Sequence, residues 1–554
     1  MTTLPLLLLL ALSDPRDIRQ GRVIPTESYA DQPYVVQTDD GAWLVCVTTG
    51  AGREGESGQH VITMRSTDQG RTWSKPRDVE PAQGPESSYA VMLKAPGGRI
   101  YIFYNHNTDN VREVIADRPA YPDGLCRRVD SLGHFVFKYS DDHGRSWSSK
   151  RYDIPMREFE IDRRNPYGGK LKFFWNVGKA FAFRGAAYVP LHKVGGFGEG
   201  FFTSSEGVLL RSDNLLTERD PARIRWGTLP DGDVGIRAPA GGGPIAEEQS
   251  FVELSDGSLF CVFRTIDGYP AFTYSRDGGR SWEPSEYMRY ADGRRMKHPR
   301  AANFVWRTRS GKYLYWFHNH GGRFIREHAQ RRTVAFRDRN PAWLAGGVEA
   351  DSPRGKVIRW SQPEIALYDA DPAVRMSYPD FIEDGGRYFL TETQKSVARV
   401  HEVDAALIEG RSGAPRPGFS VDLAVRFRSL RAGQVLAEGR GVVLRTTDRG
   451  TVELVMSGGG KEDRWECDAG MLATEILHHV TVIVDGGPKI VLFVVDGKLN
   501  DGGEERQFGW GRFQVQRSAL GGRLRRGSGL DGSVERLRLY PRALRVSEAI
   551  AVRR

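Results

Sequence analysis

Histidines, carboxylates and arginines recur at the ends of apolar, strand-like runs in this chain. Those are residue types that move protons and hold anions. Lys297-His298-Pro299-Arg300 precedes one such run, and Phe317-His318-Asn319-His320 follows it. Asn105-His106-Asn107 and His192-Lys193 follow two others. Histidine titrates near neutral pH, so a set converging from several strands could act as acid and base or ligate a metal. Each one taken singly also fits a hydrogen-bonded structural role. Glu54 and Glu56 stand in a Gly-rich loop from Gly50 to His60. A carboxyl there could donate a proton to a leaving oxygen, and such a loop could move.

Strands joined by tight turns must position these groups. Apolar runs flank Gly turns at Asp39-Asp40-Gly41, Pro96-Gly97-Gly98, Arg184-Gly185, Ser255-Asp256-Gly257, Ser310-Gly311 and Asp384-Gly385-Gly386. Alternating apolar residues about such a turn signal a hairpin. A second pattern, S-x-D-x-G-x-[TS]-W, occurs at Ser66–Trp73, Ser140–Trp147 and Ser275–Trp282. A short Asp can bond backbone N–H groups, Gly supplies positive φ, and Trp folds back onto a sheet. Ser212-Asp213-Asn214 leading on to Trp226, and Trp360 before Ser361, read as remnants of it. Six hairpin copies predict an all-β fold, a six-bladed β-propeller over residues 20–408.

The repeat stops at residues 409–418, a Gly/Pro-rich linker. Residues 419–554 are again strand-like. His478-His479-Val480-Thr481-Val482-Ile483-Val484-Asp485 and the ending Tyr540-Pro541-Arg542-Ala543-Leu544 resemble the laminin-G or concanavalin A-like β-sandwich, a jelly roll. That resemblance implies either carbohydrate binding or a domain bracing the propeller.

The S-x-D-x-G-x-[TS]-W segments resemble the Asp box, or BNR repeat, of the sialidase (neuraminidase) superfamily. The box marks a scaffold and touches no substrate. Two further runs carry the resemblance toward a site. Glu247-Glu248-Gln249-Ser250-Phe251-Val252-Glu253-Leu254-Ser255-Asp256-Gly257 with Arg264 is similar to the sialidase run N-E-x-x-v-E-L-x-D-G that leads to an arginine. It implies that Glu248 serves a tyrosine nucleophile and that Arg264 is one arginine of a carboxylate-binding triad. Ser377-Tyr378-Pro379-Asp380-Phe381 resembles the last-blade motif Y-S-D-L, which puts Tyr378 at the nucleophile position and Asp380 among the substrate contacts. A phenol has a pKa near 10 and needs a neighbouring base. Sialidases use tyrosine where other glycosidases use a carboxylate, because a neutral nucleophile avoids repulsion from a carboxylate at the anomeric centre. The general acid of the family, an Asp, aligns near Gly55, between Glu54 and Glu56.

The triad is where the pattern departs. Sialidases open the first blade with R-I-P; here that position reads Asp31-Gln32-Pro33. An Asp repels a carboxylate and accepts sugar hydroxyls. Arg22-Val23-Ile24-Pro25 looks like the motif nine residues early and reads as coincidence rather than a shifted substitute. The third arginine falls on Arg339, with Arg300 and Arg323 in competition.

Composition narrows the remaining classes. The formal net charge is +9 from 79 basic and 70 acidic residues, small and scattered for 554 residues, which argues against nucleic acid. No run beyond residue 13 is long enough to span a membrane. Leu4–Leu12 resembles the core of a signal peptide over residues 1–13, though without a basic start or a clean cleavage site, and predicts a secreted or periplasmic protein. The cysteines lack CxxC spacing, and Cys46 and Cys261 read as buried thiols. No feature calls for a nucleotide, flavin or phosphate cofactor. The expected activity is an exo-acting glycoside hydrolase, sialidase-like, on terminal sugars of glycans or polysaccharides, acidic sugars among them. Tyr378, Glu248 and Glu54 or Glu56 would do the chemistry. Arg264, Arg339, Asp31, Asp380, His298, His318 and His320 would contact substrate. Two rivals use the same residues: a uronate-polysaccharide lyase with a His base, and a glycan-binding protein without catalysis.

Overall fold

Each of the six Gly turns closes a hairpin, and the glycine at its tip lies in the left-handed region, as at Gly41 (φ 80°), Gly98 (86°) and Gly257 (75°). Only glycine adopts this conformation freely, so local chemistry dictates where the chain reverses. The computed structural model describes residues 14–128, 130–198, 201–321, 338–410, 413–503, 506–516 and 521–552. Residues 1–13, the expected signal-peptide segment, and Arg323 lie outside them.

Each hairpin supplies the two inner strands of a sheet of four or five antiparallel strands, and there are six such sheets. The innermost strands are β1 (Tyr29–Gln37), β2 (Ser87–Lys94), β3 (Phe173–Trp175) continued by β4 (Phe181–Phe183), β5 (Glu247–Glu253), β6 (Phe304–Arg307) and β7 (Ser377–Asp384). Strand β1 packs against both β2 and β7, which closes the sheets into a ring. The chain start completes the closure: Arg22–Ile24 is the outer strand of the last blade, with Arg22 opposite Val400. That explains the early R-V-I-P run, which belongs to the rim and not to the axis. The chain is a six-bladed propeller followed by a β-sandwich.

The three S-x-D-x-G segments join the third and fourth strands of blades one, two and four. In each the serine hydroxyl accepts the glycine N–H at 2.8 Å, at Gly70, Gly144 and Gly279. The aspartate accepts the N–H of the following Thr72, Ser146 or Ser281 at 2.8–3.0 Å. Blade three keeps the arrangement with Asn214, whose side chain accepts from Arg225 N. Cys46, Cys126, Cys261 and Cys467 are buried and unpaired. No described helix is long and apolar enough to cross a membrane.

The sandwich stacks one sheet containing Gly418–Phe427, Leu477–Asp485 and Ile490–Val495 on a second that runs from Lys461–Glu466 to Gly521–Arg526. Alternate residues of a strand point to opposite faces. Val480, Val482, Val491 and Phe493 fill the sandwich core. Ile483, Ile490, Leu492 and Val494 face the propeller and pack with Tyr313, Phe317 and Trp343 of the fifth blade. Both faces of these strands are therefore buried, which is why they read as continuous apolar runs. Arg16 on the propeller side pairs with buried Asp485 at 2.7 Å, and Arg416 with Glu364 at 3.0 Å. The sandwich braces the fifth blade. Trp510, at 5.3 Å from Trp343, is the central anchor. Trp510→Ala should cost about 3–5 kcal/mol, and calorimetry of the intact chain should show one joint transition. Two independent transitions in the wild type would contradict the shared core.

Candidate active site

Four innermost strands carry the same irregularity at the same end. Register slips between Asp31 and Tyr34, Ser88 and Val91, Glu247 and Ser250, and Ser377 and Asp380. The first bulge residue is left-handed in every case: Gln32 (φ 50°), Tyr89 (57°), Glu248 (59°) and Tyr378 (47°). A β-bulge re-aims a side chain, and a non-glycine residue at positive φ costs on the order of 1–3 kcal/mol. None of the four is glycine, so packing must hold them. Glu248 N–H donates to His192 Nδ1 at 3.3 Å, and Tyr89 N–H to Thr48 Oγ1 at 2.8 Å.

The bulges bring Tyr378 and Glu248 together from blades six and four. The phenol donates to Glu248 Oε1 at 2.9 Å. Arg264 binds the same oxygen at 2.9 Å and Glu247 Oε2 at 2.8 Å. Arg300 grips Glu247 through Nη2 at 2.6 Å and Nε at 3.1 Å. Arg339 donates to Ser377 Oγ at 2.7 Å and to the Arg300 carbonyl at 3.4 Å. On the other flank of Tyr378, the Lys395 ammonium lies 4.3 Å from the ring centroid. It pairs with Asp31 at 2.6 Å and Glu54 at 3.1 Å. Arg128 approaches Glu54 at 3.4 Å and also pairs with Asp130, which accepts from the Tyr89 hydroxyl. Glu248, Tyr378, Asp31, Arg264 and Arg339 are all at least nine-tenths buried.

Burial sets the protonation pattern. It raises Glu248 above the ordinary carboxylate value against the pull of Arg264, which makes it a stronger base. It also pushes the Tyr378 phenol well up, with Glu248 adding to the rise. Burial opposes ionisation of Glu247 too, but Arg300 and Arg264 prevail and hold it at about 2. Burial likewise opposes ionisation of Glu54, and Lys395 and Arg128 outweigh it to hold its carboxylate well below the usual range. Burial raises Asp31 despite Lys395.

Several sequence candidates stand elsewhere. Glu56 is exposed and accepts from Arg53 N at 2.9 Å, a contact within its own loop. Asp380 is buried between blades: its carboxylate accepts from Val35 N at 2.8 Å and from Lys179 at 2.7 Å. The histidines engage backbone. His298 Nε2 meets the Ala301 carbonyl at 2.7 Å, and His298 Nδ1 accepts from His318 N at 3.1 Å. His318 Nδ1 lies 3.2 Å from the Pro341 carbonyl, and His320 Nε2 faces that of Asp338. Burial pushes His298 and His318 well below the usual histidine value, so both are neutral. They tie the fifth blade together and are not free bases.

Glu247, Lys395, Arg128 and Asp130 join the site without having been read from the sequence. Spacing held one usable signal: Gln32, Tyr89 and Glu248 each precede the tip glycine of their hairpin, Gly41, Gly98 or Gly257, by the same nine residues.

No protein-family model matches this chain, and no curated protein matches it. Solved structures similar to it include the intramolecular trans-sialidase of Ruminococcus gnavus, at 14% identity over 70% of this chain and 98% of that one, TM-score 0.46. A protein of unknown function from Dyadobacter fermentans is 16% identical over 69% and 97%, TM-score 0.45. Trypanosoma rangeli sialidase is 13% identical over 96% and 94%, TM-score 0.42. At these scores the propeller is assigned from its own sheets and the site from its own contacts.

The Glu247 pair makes stability pH-dependent with a definite sign. Its pKa is depressed in the folded state, so the stabilisation is present above the unfolded value, about 4.3, and is lost as pH falls toward about 2. The contribution is on the order of 3 kcal/mol. Denaturant titration should therefore show wild-type stability falling from pH 5 to pH 3. Glu247→Gln should flatten that fall while losing about 3–5 kcal/mol at pH 7 through the loss of the carboxylate that Arg300 and Arg264 share. An unchanged acid slope in the variant would refute the assignment.

Proposed function

We propose that the protein is an exo-acting glycoside hydrolase that works through a tyrosyl intermediate. The observation that carries this is the buried 2.9 Å hydrogen bond from Tyr378 to Glu248. A phenol is a poor nucleophile until a base removes its proton, and here the base is in contact, buried and raised in pKa. A phenol also adds no charge to a buried site that already holds several carboxylates.

In the first step Tyr378 Oη attacks the anomeric carbon and its proton passes to Glu248 Oε1. The bond from that carbon to the leaving oxygen breaks, and the oxygen takes a proton from Glu54. In the second step water attacks the anomeric carbon and gives a proton to Glu54. The carbon–tyrosine bond breaks, and the phenolate recovers its proton from Glu248. Glu54 is assigned the acid role over Glu56 because it faces Lys395, and over Asp31 because it is the more accessible carboxyl, on the loop toward solvent. As found it is ionised. A substrate that parts Glu54 from Lys395 and Arg128 would raise its pKa and load the proton. Arg264 holds Glu248 in place, and Arg339 is a contact for the bound sugar. Secretion is part of the same reading, since such substrates lie outside the cell. The sandwich is assigned a bracing role over residues 419–554, with residues 20–408 as the catalytic unit.

Tyr378→Phe and Glu248→Gln should each lower kcat by about 10²–10⁴-fold or more with near-wild-type stability. Glu54→Gln should slow aryl glycosides with poor leaving groups by a similar factor and spare those with 2,4-dinitrophenol, which leaves without a proton. Equal losses on both leaving groups would remove Glu54 from the acid role. Full activity of Tyr378→Phe would end the tyrosyl mechanism.

A further inference from the structure

Among the described residues, the floor of the site is electrically balanced before any substrate arrives. Its carboxylates are Glu247, Glu248, Asp31, Glu54 and Asp130. Its cations are Arg264, Arg300, Arg339, Lys395 and Arg128. Four of the five cations already lie within 4 Å of a carboxylate: Arg264 and Arg300 on the Glu247–Glu248 side, Lys395 and Arg128 on the Asp31–Glu54–Asp130 side. Arg339 is engaged by Ser377 and the Arg300 carbonyl. A substrate carboxylate would add a sixth negative charge to the set and would have to displace an existing ion pair or the Ser377 and Arg300 carbonyl contacts of Arg339. Among the described residues the one further cation acting on these groups, Arg375, does so on Glu54 and Arg339 from an exposed position, where solvent screens it.

The Lys395 flank has a second property. Acceptors and donors alternate along it: Asp31, Lys395, Glu54, Arg128, Asp130. A carboxylate only accepts hydrogen bonds, whereas a hydroxyl donates and accepts at once. Two neighbouring hydroxyls on a sugar ring can each donate to one carboxylate and accept from the next cation, so a neutral ring can come between Glu54 and its cations without adding a charge to the set. Lys395 is held for this by its surroundings: it sits at φ 72°, and its N–H donates to Thr393 Oγ1 at 2.9 Å. Asp31 is fixed by Tyr29 Oη at 2.7 Å and Gln32 N at 3.0 Å.

We infer that this site takes a neutral sugar, with two adjacent ring hydroxyls seated on the Asp31–Lys395–Glu54–Arg128 row, and rejects sugars whose ring carries a carboxylate. The inference rests on the glycosidase reading for its placement at the anomeric centre. Asp31 and Lys395 are the specificity-determining pair. A neutral ligand also has no net charge to screen, so its KM should not move between 20 mM and 500 mM salt, whereas a carboxylate ligand would bind more weakly as salt rises.

The test uses the full chain and umbelliferyl glycosides of neutral aldoses and N-acetylhexosamines in both anomeric forms, beside an umbelliferyl sialoside and glucuronide. At least one neutral glycoside should exceed both acidic ones in kcat/KM by ~10²-fold or more. A sialoside or glucuronide turned over as well as the best neutral glycoside would overturn the inference. A second measurement separates it from the hydrolase reading: Tyr378→Phe on an array of neutral and acidic glycans. Retention of neutral glycans without turnover by wild type supports the neutral site while sinking the hydrolase. Retention of acidic glycans alone, or of none, overturns the neutral site. Asp31→Asn, which keeps shape and removes one charge, should weaken the neutral substrate by raising KM ~10-fold or more and should introduce inhibition by free glucuronate. A merely structural Asp31 would change stability without changing that preference. Circular dichroism checks that the variant is folded.

Discussion

Charges placed at the axis of this propeller cannot stand there alone. An isolated buried carboxylate or guanidinium costs several kcal/mol, and the structure meets that demand by pairing across blades. Arg300 before the fifth blade's inner strand holds Glu247 of the fourth; Lys395 of the sixth holds Asp31 of the first; Lys179 from the third holds Asp380 of the sixth. The pairs are therefore interblade ties as well as parts of a site. Removing one partner strands another charge, so the chemistry and the ring are stabilised by the same contacts.

The backbone serves the same requirement. Left-handed bulge residues recur on four innermost strands, at Gln32, Tyr89, Glu248 and Tyr378. Each sits where the strand enters the sheet, and each is held by a neighbour's hydrogen bond or by close packing. The sandwich extends this support outward. Arg512 donates to the carbonyl of Asn340 at 2.8 Å, next to Arg339, and Phe508 and Trp510 cover His320. The C-terminal sheets thus press on the segment that delivers an arginine to the axis.

Much of this was legible in the residues. The Gly turns and the S-x-D-x-G segments obey local rules, and the structure follows them strand by strand. Glu248 and Tyr378 stood out by motif and do meet. What was not legible lies at long range. Lys395 reaches Asp31 across 364 positions, and no local pattern encodes that pairing. Asp31 looked like a loss of charge complementarity until its ammonium partner appeared. The histidines failed for a different reason: burial and backbone acceptors decide whether an imidazole is a base, and neither is visible from its position at a strand end. Asp380 likewise has its interblade partners Lys179 and Val35 at positions far away in the sequence.

The most direct measurement is the mass of the protein after reaction with an activated fluoro-sugar whose glycosyl–enzyme bond hydrolyses slowly. The sugar should be one the enzyme turns over. A single adduct of one fluoroglycosyl residue, mapped by peptide sequencing to Tyr378, is predicted. An adduct on Glu248, Asp31 or Glu54, or turnover with no adduct at all, would contradict a tyrosyl intermediate.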